Sequence, residues 1–227
     1  MLAMVKQVIH RATDVLRADP WAVGGGRSAQ RLCQLGLLLL AFGMAYGAVM
    51  GSFGGLRSDR LLAITYSAVK VPLLLTGTFI ISLPSFFVVN TLLGLRTDFS
   101  YAMRAMVATQ AGLTVILASF APFTIVWYVS YSSYGHAVLF NTVMFGIATF
   151  LAQKLLRRFY QPLIHRNHRH HWVLRVWLVT YAFVGIQMGW LLRPFIGDPN
   201  MSTTFIRQQA WGNAYEALLR TILSIFQ

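Results

Sequence analysis

Five blocks of apolar residues, 32–53, 61–93, 101–128, 137–156 and 172–192, contain no Asp or Glu, and each is long enough to cross a lipid bilayer. A hydrocarbon core about 30 Å thick takes about 20 helical residues at about 1.5 Å each. Lipid offers no partner to a backbone N–H or C=O, so a segment that crosses it must satisfy those groups itself, as a helix does. The apolar residues run in continuous blocks, without a helical stripe or strand alternation. With 56% hydrophobic and 11% charged residues, the chain has too little charge for a soluble domain of its length. The sequence therefore predicts an all-α, polytopic transmembrane helix bundle of five spans, flanked by amphipathic N- and C-terminal helices.

Three regions follow. Residues 1–31 form a basic N-terminal segment in which Val5, Val8, Ile9, Ala12, Val15 and Leu16 recur on a helical period among Lys6, Arg11 and Arg17, the pattern of a short surface helix. Asp19-Pro20 ends that helix, and Gly24, Gly25 and Gly26 make a flexible joint. The segment has no continuous apolar core or small-residue cleavage site, so the first span is expected to stay in the mature protein. Residues 32–193 form the bundle. Residues 194–227 form a tail in which Phe205, Trp211, Leu218, Leu219, Ile222 and Ile225 give 202–226 an amphipathic helical pattern. A sixth crossing there would bury Arg207, Glu216 and Arg220. The single cysteine, Cys33, excludes an intrachain disulfide and a thiolate metal cage.

Within the spans, Gly43, Gly47 and Gly51 fall at intervals of four and place three glycines on one helix face, where another helix can approach closely. Pro72 and Pro84 lie inside the second span and each removes a backbone donor, which predicts a kinked or broken helix, or two re-entrant halves. Pro122 interrupts the third span. The stretch from Lys154 to Arg175 is expected to contain a cationic loop and has no acidic residue: it carries Lys154, Arg157, Arg158, Arg166, Arg169 and Arg175 with His165, His168, His170 and His171. Lys and Arg concentrate in loops on the cytoplasmic side of membrane proteins. Five spans then put this loop and the N-terminus in the cytoplasm, in a plasma membrane or, for a bacterial chain, the inner membrane.

The basic cluster is expected to hold anionic lipid headgroups or an acidic partner, each cation near the surface contributing about 1 kcal/mol. The four histidines are weak metal candidates, because the interleaved arginines would repel a divalent cation and no Cys, Asp or Glu accompanies them. Lys70 lies two or three turns into the second span. It either marks a solute or ion pathway or snorkels to the interface. The uncharged polar residues Thr65, Ser67, Asn90, Thr109, Gln110, Asn141, Thr142 and Gln187 are expected to hydrogen-bond between helices, and the aromatics near span ends to form an interfacial belt. No nucleotide-binding, nucleophile-elbow or metalloprotease motif occurs, so neither an enzyme nor a cofactor is expected. The net charge of +13 flanks the spans, which favours anionic lipid over nucleic acid as the partner, together with other membrane proteins or a second copy.

The run Leu83-Pro84-Ser-Phe-Phe-Val-Val-Asn90-Thr-Leu-Leu93-Gly94-Leu-Arg-Thr-Asp-Phe99-Ser100, continuing to Ala121-Pro122, resembles the second and third spans of Yip1-type membrane proteins. In that family an Asn-containing span end, a Leu-Gly turn and a Phe-Ser start precede a long span with a proline near its far end. The resemblance implies five spans and a cytoplasmic N-terminus, and no catalytic residues. Eukaryotic members act in membrane trafficking and organisation. The N-terminal region here is shorter than theirs.

Overall fold

A computed structural model describes residues 2–24, 28–55, 60–131, 133–197 and 204–206, and among them every regular element is helical. Helix α1 is Leu2–Leu16. A 3-10 turn, Pro20–Ala22, follows, with the Asp19 carboxylate accepting from the Trp21 N–H at 2.8 Å. Then come α2 (Ser28–Gly51), α3 (Leu61–Leu92), a 3-10 turn (Arg96–Asp98), α4 (Phe99–Ser119), α5 (Ala121–Ser130), α6 (Tyr134–Arg166) and α7 (His170–Leu191). Five helical segments are long and apolar enough to cross a membrane: Ala29–Gly51, Leu61–Leu92, Arg96–Ser130, Tyr134–Arg166 and His170–Leu191. The chain is an all-α integral membrane protein.

Three expectations need correction or refinement. The two prolines of α3 neither break it nor divide it into re-entrant halves: the helix runs unbroken through Pro72 and Pro84. Each proline frees only the carbonyl four residues before it, and a membrane helix tolerates this because packed neighbours and small local adjustments take up the freed group. The third crossing does break, at Phe120, because Pro122 sits in the first turn of α5, where its missing N–H is one that would have no helical partner anyway. The cationic stretch is mostly helix: α6 continues ten residues past the end of its apolar block to Arg166, and three residues, Asn167 to Arg169, turn the chain into α7. The N-terminal joint at residues 25–27 and the tail from 207 onward lie outside the described residues.

Helix α3 packs on α2 and α7, α2 also packs on α4, and α4 also packs on α6. Small residues make the central contacts close. A Cβ at Gly47 would run into the Ser67 carbonyl oxygen and lie 2.8 Å from the Ala68 Cα, and one at Gly51 would lie 2.7 Å from the Ile64 Cα. Both glycines therefore bring α2 against the backbone of α3. Gly43 sits more loosely, with Pro72 and Thr114 side chains 3.4 Å from where its Cβ would be. On α4, Ala102, Ala105, Ala108 and Ala111 are fully buried, and Gly112 leaves room for the Leu155 side chain of α6. Lipid tails are as apolar as leucine, so close packing of this kind, rather than water exclusion, is what holds membrane helices together. The outward faces carry exposed apolar residues such as Ile80, Val126, Leu139 and Val179.

Successive crossings alternate in direction. The start of α2, the end of α3, the start of α4, the end of α6 and the start of α7 meet at one end of the bundle, here the basic end. Helix α1 docks there, burying Ala12 and Val15 with α4 among its neighbours. Part of its apolar face is thus buried against the protein, while Ile9 and Leu16 stay exposed.

Candidate binding sites at the two ends of the bundle

At the basic end, three carboxylates are all engaged within the chain. Asp14 lies 3.4 Å from Arg11, Asp19 caps the 3-10 turn, and Asp98 accepts from Arg166 at 3.0 Å while its other oxygen meets His170 Nε2 at 3.2 Å. His170 is completely buried, with its ring edge-on to Tyr160 at 5.8 Å. The other three histidines diverge from it. His168 and His171 face each other at 4.9 Å, and His165 lies exposed on the last turn of α6. Among the described residues no group of three or more His, Cys, Asp or Glu side chains is placed to hold a metal ion. Of the weak candidates His165, His168, His170 and His171, only His168 and His171 lie side by side, while His170 turns inward to Asp98.

Lys154, Arg157, Arg158, Arg169 and Arg175 are exposed at this end, and none of them meets a carboxylate among the described residues. Arg169 donates to the Leu93 carbonyl at 3.4 Å, closing the turn between α6 and α7 onto the end of α3. Lys154 and Arg175 lean on Phe150 and Trp172, with ring-centre distances of 4.8 and 5.1 Å. The exposed cations of this cluster share the surface with Phe150, Trp172 and Val176.

The opposite end holds a different arrangement. After α7 the chain runs as irregular backbone from Arg193 to Gly197, and four successive carbonyls are each taken by a side chain. Lys70 Nζ donates to the Pro194 oxygen at 2.6 Å and Ser67 Oγ to the Phe195 oxygen. Tyr134 Oη donates to Ile196 at 3.2 Å and an Arg60 nitrogen to Gly197 at 2.8 Å. Irregular backbone is tolerated in a membrane protein where the protein itself satisfies it, and these donors supply that. The segment works as a strap across a half-enclosed cavity of about 600 Å³, walled by α3, α6 and the strap, with Gly189 of α7.

Lys70 does not reach the interface as a free amine. It is 1% exposed, with the Thr204 carbonyl 3.5 Å away and the Phe205 ring centre at 5.2 Å. Beside the cavity, Tyr46 Oη donates to Asn141 Oδ1 at 3.1 Å. Asn141 Nδ2 donates to Tyr128 Oη at 2.7 Å and to the Ala137 carbonyl at 2.8 Å, tying α2, α5 and α6 together. Asn141 and Ser67 are thus cross-segment contacts, as expected of the polar residues. Thr65, Asn90, Thr109 and Thr142 instead bond to carbonyls four residues back in their own helices. Sequence reading missed the strap, Arg60 and Asp98, because their partners lie 62 to 137 residues away and several are backbone carbonyls, which carry no sequence signal. Comparison with family models, curated proteins and solved structures finds no match, so the Yip1-type resemblance rests on residues 83–122 alone.

Proposed function

We propose that this chain is a non-enzymatic integral membrane subunit or scaffold whose basic end faces the cytoplasm and docks anionic lipid headgroups, or the acidic face of a partner protein. The observation that supports this is the charge imbalance at that end. Every described carboxylate there is engaged inside the fold, while Lys154, Arg157, Arg158 and Arg175 stay exposed. Near an anionic leaflet each such cation contributes about 1 kcal/mol, so the four together favour that surface by up to about 4 kcal/mol. The Yip1-type resemblance belongs to the same proposal, since it implies five spans with the N-terminus on the cytoplasmic side.

The test compares thermal stability in nanodiscs of phosphatidylcholine with and without phosphatidylglycerol. The wild-type chain is expected to melt higher with the anionic lipid. Glutamine at positions 154, 157, 158 and 175 together is expected to remove most of that gain, as is raising salt from about 0.1 to about 1 M, which shortens the screening length from about 10 to about 3 Å. A gain that survives both changes contradicts the proposal. A second reading, an oligomeric pathway for a small solute or ion, draws on Lys70 at the cavity wall. Liposome flux that Lys70→Ala abolishes would favour it.

A further inference from the structure

The cavity under the strap lies at the end of the bundle remote from the basic cluster and plays no part in the docking proposed for that cluster. We infer that it is a binding site for one anionic phospholipid, with the headgroup against Lys70 and the start of an acyl chain between α6 and α7.

Four observations carry this. The first is charge. A lysine ammonium has three donors and no acceptor, and Lys70 uses them on the Pro194 carbonyl and, at the long distance of 3.5 Å, on that of Thr204. Carbonyl dipoles do not neutralise a cation, and a buried charge is costly unless an opposite one pairs with it. Among the described residues no carboxylate lines the cavity. The second is shape. About 600 Å³ falls within the range of about 300–1,000 Å³ usual for small-ligand sites.

The third is the character of the wall. Leu74, Val138 and Phe145 make much of it apolar, beside Asn141 and Thr142, which suits an amphiphile with a hydrocarbon chain better than a hydrated inorganic ion. The fourth is access. Helix α6 packs chiefly on α4, and α7 chiefly on α3, so the gap between α6 and α7 is floored by α3 and filled by neither. Leu139 and Val143 of α6 and Ile186 of α7 are exposed, as lipid-facing residues are. Gly189 widens the gap, since a Cβ built there meets nothing within 4 Å. An amphiphile entering from the bilayer would meet apolar surface first and the cation last.

Lys70 also anchors the strap, so the test must separate the two roles. The full-length chain is delipidated in mild detergent, reconstituted in phosphatidylcholine nanodiscs with or without phosphatidylglycerol, and released at high salt for native mass spectrometry of retained lipid. Two variants are compared with wild type. Lys70→Gln removes the charge, and Gly189→Phe fills the gap while leaving all four strap donors in place. The wild-type chain is expected to retain one phosphatidylglycerol in preference to phosphatidylcholine. Both variants are expected to retain it about tenfold less well or worse, as the loss of a charge-assisted contact or of the space for the ligand implies.

Release at high salt strips lipid held only by the exposed cations of the basic end, which separates this site from that one. The inference is overturned if wild type retains no anionic lipid, if either variant retains it like wild type, or if inorganic phosphate alone in phosphatidylcholine discs binds in a Lys70-dependent way. If Lys70→Gln fails to fold, Gly189→Phe decides the matter alone.

Discussion

At the scale of single residues, the clearest constraint is Gly47. Its hydrogen faces the backbone of α3, and backbone cannot yield as a side-chain tip can. Overpacking commonly costs about 1–3 kcal/mol. Gly47→Leu is therefore expected to lower the melting temperature in detergent sharply or to prevent folding, whereas Gly146→Ala, whose Cβ meets nothing within 4 Å, should be neutral or slightly stabilising. A Gly47→Leu protein as stable as wild type would show that α2 and α3 do not pack through this face. The Asp98 cluster gives a second contrast. The Arg166 side chain is 73% exposed and that of His170 is 0% exposed. Arg166→Gln removes a surface ion pair and should cost less than about 1 kcal/mol. Asp98→Asn takes the charged partner from a buried imidazole and should cost about 1–3 kcal/mol in denaturation in mixed micelles. Equal effects would place the stabilisation in Arg166 and not in His170.

At the scale of elements, α1 behaves as part of the bundle through Ala12 and Val15, both buried. Val15→Asp would bury an unpaired carboxylate in that contact and is expected to release α1. Limited trypsin digestion should then cut at Arg11 or Arg17 while the rest of the chain stays protected, and resistance equal to wild type would contradict this docking. The crossings themselves were legible in the sequence because bilayer thickness dictates their length and acid-free apolar blocks meet it. Their ends were not. The apolar pattern of α6 stops at Leu156, yet its helix continues to Arg166, since basic residues are good helix formers and outside the bilayer they are free to be solvated. The spacing of Gly43, Gly47 and Gly51 pointed to a close helix contact, but not to α3 as the helix that receives it. Lys70 was legible as an intramembrane cation. Its partner was not, because the Pro194 carbonyl lies 124 residues away in irregular backbone.

At the scale of the whole molecule, charge is distributed unevenly between two ends held apart by the spans. One end shows exposed cations on long helices. The other hides a single lysine behind a strap. Exposed cations interact through water and fade with salt, whereas a cation in a low-dielectric cavity keeps its hold. The two sites should therefore separate by ionic strength. Anionic-lipid stabilisation is expected to fall in two steps as salt rises in nanodiscs, with the early loss absent from the variant neutralised at 154, 157, 158 and 175 and the salt-resistant part absent from Lys70→Gln. A single transition unaffected by either variant would contradict this division.

Docking of the basic end to a cytoplasmic surface requires five crossings with that end in the cytoplasm. Cys33 is the only cysteine and is exposed, so Cys33→Ser gives a clean background for single cysteines at 168, in the turn between α6 and α7, and at 136, on the first turn of α6. A membrane-impermeant maleimide applied to intact cells is expected to label position 136 and to reach 168 only after permeabilisation. Labelling of 168 from outside, or of both positions alike in sealed cells, would contradict the orientation.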